Sequence, residues 1–280
     1  MKTEDKILAL IRETSSSLPD DVEKAILSAM RREESGSSAK MILKTILDNC
    51  ALARANATPL CQDTGTLTFF VDSRLRKKVD RKVISEAARK ATEKGYLRKN
   101  CIDSVDGKSY DDNVAEGAPV IHYFEPEFSD SKPTVTLIMK GGGSENMSRQ
   151  YSLPDSTLGA GRDLKGVEKC VLDAVVKTQG YGCAPGILGV CIGGDRATGY
   201  ETAKAQLLRG LADSSKDPRL AKMEKSILKK ANSLGIGPMG LGGKTTLLGV
   251  KIASRPRVPA SFFVTVAYMC WAARRRTVEI

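Results

Sequence analysis

The sequence predicts a mixed α/β fold: a helical N-terminal layer, then mixed sheets with packed helices, as one unit over residues 1–280. Three observations predict it. The first sixty residues carry apolar side chains at helical spacing, and the remainder alternates short β-branched runs with longer amphipathic stretches. Neither an internal repeat nor a low-complexity linker interrupts the chain.

Taken in order, Ile7, Leu8, Leu10 and Ile11 make one apolar stripe, and Val22, Ala25, Ile26, Ala29 and Met30 make another, opened by Pro19-Asp20-Asp21. A third helix over about 38–55 carries Met41, Ile42, Ile46 and Ala51 until Ala57-Thr58-Pro59 breaks it. Cys61 therefore falls on a turn ahead of a strand over 67–71. A basic helix is predicted over 81–94, a loop-rich region over 98–118, and strands over 120–124 and 134–139. A helix over 164–177 precedes a strand over 187–192. Helices over 200–211 and 218–233 lead into a glycine-rich loop, then strands over 247–253 and 262–268 that finish at Cys270.

Hydrophobic residues at 41% and charged residues at 28% are the balance of a soluble globular protein, and no apolar run approaches the roughly 20 residues of a bilayer span. The start, Met1-Lys2-Thr3-Glu4-Asp5-Lys6, reads as no signal peptide. Seven widely spaced cysteines form no secreted-type framework, which points to the cytoplasm and reduced thiols. The net charge of +11 admits a nucleic-acid-binding protein as a distant alternative. Against it, Lys and Arg are spread along amphipathic helices, only Arg76-Lys77-Lys78 and Arg274-Arg275-Arg276 form runs, and aromatics are 5%. A solvated surface that steers an anionic substrate or an acidic partner subunit accounts for the charge, with no nucleic acid and no membrane.

Three cysteines occupy settings that a packed thiol does not need. Cys61 opens Cys61-Gln62-Asp63-Thr64-Gly65, Cys183 lies in Gly182-Cys183-Ala184-Pro185-Gly186, and Cys270 precedes Trp271. Three converging thiolates suit a cubane iron–sulfur cluster with one iron open to substrate. Cys50, Cys170 and Cys191 fall in helical or apolar strand stretches and read as packed thiols, with Cys101 on a loop. The run Gly141-Gly142-Gly143-Ser144-Glu145-Asn146 after a strand reads as an anion-binding loop, because residues without Cβ let backbone N–H groups approach an anion. Gly235-Ile236-Gly237-Pro238-Met239-Gly240 fits the dinucleotide pattern only formally: a helix precedes it and a strand follows, the reverse of the required order. Gly242-Gly243-Lys244-Thr245 has Pro238 where a P-loop needs its first glycine. Both read as a tight glycine turn near the site. His122, the only histidine, sits in a strand as a core or edge residue, which argues against Ser-His-Asp chemistry and a histidine zinc site.

Together with Gly193-Gly194-Asp195, Leu241-Gly242-Gly243 and Cys270-Trp271-Ala272, these motifs resemble, in order and over nearly the whole chain, the iron–sulfur hydro-lyases, class I fumarases and L-tartrate dehydratases. The resemblance is to their α subunit or N-terminal catalytic domain. It implies a [4Fe–4S] cluster held by Cys61, Cys183 and Cys270, with Gln62 and Asp63 as the catalytic and substrate-contacting pair. It implies Arg98 as a carboxylate grip, suited by a guanidinium's paired donors, and Gly141, Ser144 and Asn146 as further contacts to a small dicarboxylate. One departure stands out: many members carry a histidine twelve residues before the third ligand, where this chain has Val258, so that either Arg255 or Arg257 takes over or substrate preference differs. The β portion that completes single-chain members is not in this sequence. A separate β subunit is therefore expected, in an αβ heterodimer or its dimer. The activity implied is fumarate hydratase, with L-tartrate dehydratase as the alternative and a non-catalytic iron–sulfur subunit as a further one.

Overall fold

A computed structural model describes residues 2–125 and 131–280. In chain order its elements begin with α1 (Thr3–Ser16), α2 (Asp20–Arg32), α3 (Ser38–Asn56), β1 (Thr66–Asp72) and α4 (Arg81–Glu93). Strands β2 (Cys101–Ile102), β3 (Ser109–Tyr110), β4 (Val120–Phe124) and β5 (Thr134–Lys140) follow, then α5 (Gly142–Asn146) and β6 (Arg149–Ser152). The remainder comprises α6 (Leu164–Thr178), β7 (Gly186–Gly193), α7 (Arg196–Gln206), α8 (Pro218–Ser233), β8 (Leu247–Arg255), β9 (Phe263–Met269) and β10 (Arg274–Glu279). The fold is mixed α/β, as the sequence predicts.

Contacts divide the chain into two compact units. The first comprises Met1–Pro19, Asp48–Gly142 and Arg274–Ile280; the second comprises Asp20–Leu47 and Gly143–Ala273. Two of the crossings fall inside α3 and α5, so no linker marks them in the sequence.

The first unit is built on a four-stranded sheet in the order β10-β5-β1-β4, with β1 parallel to β4 and antiparallel to β5. The side-chain period of two puts Leu67, Phe69 and Val71 of β1 on one buried face with Val135, Leu137 and Met139 of β5. That face packs against Ile7, Leu10 and Ile11 of α1 and Ile84, Ala87, Ala88 and Ala91 of α4. The small side chains of α4 let α1 approach closely. Helix α4 starts where Asp80 accepts a hydrogen bond from the Val83 N–H.

The second unit has the order β6-β9-β7-β8, with β7 parallel to β8 and antiparallel to β9. Every residue of β7 is buried. Gly189 has no side chain because a Cβ there would meet the Ala203 carbonyl oxygen of α7 at 2.1 Å. Helices α6 and α8 contribute Val167, Val171, Ala174, Ile227 and Ala231 to the core beneath the sheet.

Most predicted boundaries agree with the structure within two residues; α7 does not. It begins at Arg196 because the Asp195 carboxylate accepts from the Ala197 and Thr198 N–H groups, a capping box placed ahead of the apolar residues. Strands β6 and β10 were not expected from the sequence, since Arg149–Ser152 and Arg274–Glu279 are polar and carry no apolar alternation. Their stability comes from pairing with β9 and β5. Among the described residues, no helix is long and apolar enough to cross a membrane.

Candidate functional site

The first unit places Cys61, Gln62 and Asp63 on the bend between α3 and β1. Just before it, the Asn49 side-chain amide donates to the Leu60 carbonyl, 2.9 Å. Cys61 and Asp63 are half-buried, and Gln62 is exposed. Two glycines bring the bend against the end of β5. A Cβ on Gly65, whose φ is +78°, would lie 2.5 Å from the Lys140 carbonyl carbon, and one on Gly141 would lie 2.7 Å from Oδ2 of Asp63. The Asp63 carboxylate thus rests on the bare backbone of Gly141. Arg274, 1% exposed, donates from Nη2 to the Asp63 carbonyl at 2.9 Å. It belongs to a basic run that reads as solvated surface, and its burial shows only once β10 pairs with β5.

Asn100 reaches the same carboxylate, Nδ2 to Oδ1 at 3.4 Å. Its loop is held by Asn113, a buried residue with φ +60° that the sequence did not single out. The Asn113 Oδ1 accepts the Asn100 N–H at 2.8 Å, and its Nδ2 donates to the Arg98 carbonyl at 2.7 Å and to Thr92 Oγ1 at 3.0 Å. Asparagine suits this position because it tolerates the left-handed region and bonds backbone on both sides. The Arg98 side chain is exposed on the loop so fixed. A pocket of about 80 Å³ opens between Thr64, Gly65, Asn100, Cys101 and Pro119.

The second unit brings Cys183 and Cys270 together. Cys183 is exposed and left-handed, φ +50°, after the 3₁₀ turn Gln179–Gly182. Its carbonyl accepts the Trp271 N–H at 3.1 Å. Tyr268 of β9 lies between the glycines flanking Cys183: a Cβ on Gly182 or on Gly186 would sit within 2.5 Å of its ring. Burial pushes the Tyr268 phenol up, and Cys270 and Cys183 push it the same way. The 235–243 glycine loop backs this turn. Met239, itself left-handed at φ +54°, donates its N–H to the Ala184 carbonyl at 2.9 Å, and Gly180 and Gly240 are in close backbone contact. Behind the loop the buried Glu33 carboxylate accepts the Lys244 N–H through both oxygens, at 2.9 and 3.1 Å. The loop follows a helix and precedes a strand, the context that argued against nucleotide binding.

The remaining cysteines differ. Cys50, Cys170 and Cys191 are fully buried. Burial pushes the Cys170 thiol up to about 11 and the Cys191 thiol up as well, and burial with the nearby Asp112 raises Cys101. Cys183 is exposed, and Cys61, Cys270 and Cys101 are half-buried, Cys101 on the short strand β2. Sulfur is the donor that an iron–sulfur cluster takes, and Cys61, Cys183 and Cys270 each lie open to a ligand. Among the described residues, no three histidine, cysteine, aspartate or glutamate side chains are grouped so as to hold a metal ion.

Gly142 and Gly143 of the triple-glycine run open the short helix α5 and do not form an open loop. Gly142, Gly143 and Asn146 are exposed, whereas Ser144 is buried with its Oγ accepting the Cys270 N–H at 3.1 Å. Val258 is exposed. Beside it, Arg257 folds back to donate to the carbonyls of Val258, Pro259 and Ser261 and lies 4.4 Å over the Phe262 ring, while Arg255 donates to Thr202 Oγ1. Arg257 thus organises its own loop, and Arg255 ties the end of β8 to α7. His122 lies on the edge strand β4 and stacks on Phe70 with ring centroids 5.1 Å apart.

Comparison with known proteins agrees with these motifs. The model of the fumarate hydratase (Fumerase) family matches residues 4–279. A Geobacillus stearothermophilus protein provisionally named fumarate hydratase class I is 47% identical over the whole chain, which spans 55% of that protein's length. A Methanocaldococcus jannaschii protein provisionally named L(+)-tartrate dehydratase subunit alpha is 36% identical, with the whole chain covering 98% of it. The L(+)-tartrate dehydratase subunit alpha of Escherichia coli K12 is 31% identical over 95% of this chain and 86% of its own. The chain belongs to the fumarate hydratase (Fumerase) family, a family of hydro-lyases.

Proposed function

We propose that this chain is the α subunit of a two-subunit [4Fe–4S] hydro-lyase, a fumarate hydratase that interconverts (S)-malate and fumarate in the cytoplasm. The observation that carries the reading is the pairing of a family match over residues 4–279 with accessible thiols at Cys61, Cys183 and Cys270. Those three residues would hold the cluster, which when bound supplies a Lewis-acidic iron that polarises the substrate hydroxyl. Arg98 pairs with a substrate carboxylate through two parallel N–H donors. Gln62 and Asp63, the catalytic pair, orient the substrate beside the cluster ligand Cys61. Gly141 gives the Asp63 carboxylate room, and Asn146 lies on the exposed end of α5. The name "subunit alpha" on relatives of nearly the same length supports a separate β subunit and an αβ assembly.

Tartrate is the second reading, favoured by those same relatives, whereas the higher identity is to the protein named for fumarate. Anaerobic reconstitution with iron and sulfide tests the cluster. About four irons per chain, lost in Cys61→Ala, Cys183→Ala and Cys270→Ala and retained in Cys191→Ala, is the expected result; no cluster in the unaltered chain overturns the reading. Rates with malate and tartrate, measured with the β subunit present, separate the two substrates.

A further inference from the structure

We infer that Ser144 is a positioning residue for Cys270, its hydroxyl completing the strand edge from which that thiol is presented. The inference rests on Cys270 being a cluster ligand and concerns a residue that the family resemblance assigns to substrate. It begins with the ladder. Strand β6 pairs with β9 from Ser152 opposite Phe263 to Arg149 opposite Val266, and there β6 ends. On its other edge β9 is paired with β7 as far as Met269 opposite Ile187. Alternate residues of a strand aim their N–H groups at the same edge. Beyond Val266 the N–H groups of Tyr268 and Cys270 therefore face the edge that β6 has left.

Two hydroxyls take over there. Ser148 Oγ accepts the Tyr268 N–H at 3.2 Å, and Ser144 Oγ accepts the Cys270 N–H at 3.1 Å. Ser144 is 4% exposed, and its helix is tied to α7 by the Glu145–Lys204 ion pair. Cys270 is the first residue past both ladders, so without Ser144 its backbone is held only through its neighbours. A buried or half-buried N–H that loses its acceptor also loses the term that fixes its orientation. The order of the glycine run then acquires a local reason: a serine three residues after Gly141 reaches the strand end two residues beyond the one reached by Ser148.

The test compares Ser144→Ala, Ser144→Thr and Ser148→Ala in the full chain. In iron-free protein, alkylation of Cys270 and Cys183 by iodoacetamide is followed by peptide mass spectrometry. After anaerobic reconstitution, iron content and the EPR spectrum of the reduced cluster are recorded. Ser144→Ala is expected to speed alkylation of Cys270 about fivefold, the factor that one ordinary hydrogen bond represents, leave Cys183 unchanged, and shift the EPR spectrum. Ser144→Thr, which keeps the hydroxyl, restores the original rate, and Ser148→Ala leaves Cys270 unaffected. Equal rates in Ser144→Ala and the unaltered chain, or equal acceleration at both cysteines, overturn the inference. Should Ser144→Ala fail to fold, Ser144→Gly removes the same hydroxyl and is judged by the same rates. Absence of a cluster in the unaltered chain would defeat the proposed function alone, since the alkylation rates decide Ser144 independently.

Discussion

Replacing Gly141 by alanine separates the fold from the site. The residue lies outside the left-handed region, so its backbone accepts a side chain without strain. The new Cβ would stand 2.7 Å from Oδ2 and 3.0 Å from Cγ of Asp63, and ordinary contact begins at 3.4 Å. The carboxylate must therefore retreat from Gly141 by about 0.7 Å, which disturbs its 3.4 Å contact with Asn100. Asp63 is half-buried and has room to swing toward solvent. The stability loss stays at the low end of the roughly 1–3 kcal/mol that overpacking costs, offset in part by about 0.4–1 kcal/mol from the stiffer unfolded chain. A displacement approaching 1 Å in a reacting group costs up to about 100-fold in rate. Malate dehydration, followed by fumarate absorbance with the β subunit present, is thus expected to fall ~10- to 100-fold while the thermal midpoint moves by no more than a few degrees. Gly65→Ala supplies the contrast, because its φ of +78° and the Lys140 backbone 2.5 Å away leave nothing flexible to yield. It should cost ~2–5 kcal/mol of stability. Full activity in Gly141→Ala, or a collapse in stability equal to that of Gly65→Ala, would refute the argument that Asp63 absorbs the clash.

Asn113→Asp preserves shape and the acceptor for the Asn100 N–H but removes the donor to the Arg98 carbonyl. It should raise KM for the dicarboxylate more than it lowers kcat and cost about 2–3 kcal/mol of stability; an unchanged KM would show that the Arg98 loop holds its place without this clamp. Asp72 is nearly fully buried, and Arg74 donates to it from Nε at 2.9 Å and from Nη2 at 2.6 Å. Those side-chain bonds hold the Asp72 carboxyl below its ordinary 3.8, against an opposing effect of burial. The stability this adds is complete above that ordinary value and disappears as pH falls through the lower folded one. Thermal midpoints measured from pH 6 down to about pH 2.5 should therefore drop less steeply below pH 4 in Asp72→Asn than in the unaltered chain, and parallel curves would contradict the assignment.

The amphipathic helices were legible in the sequence because a period of 3.6 in apolar residues is a local property, written in Val22, Ile26 and Ala29 as plainly as in the structure. The apolar strands β1, β5, β7 and β9 were equally readable, as were the turn settings of Cys61 and Cys183. Strands β6 and β10 were not, since polar residues become strands there only when β9 and β5 offer partners. The same holds within the site. The sequence by itself determined the family, the order of its motifs, and the turn settings of Cys61 and Cys183, because each is a matter of residue type and spacing. Only the tertiary structure decided that Arg274 is buried against the Asp63 carbonyl, that Asn113 clamps the Arg98 loop, and that Ser144 serves the Cys270 backbone. These contacts join residues 15 to 211 positions apart, and a hydrogen bond is specified by where the chain brings two atoms, which no local pattern encodes.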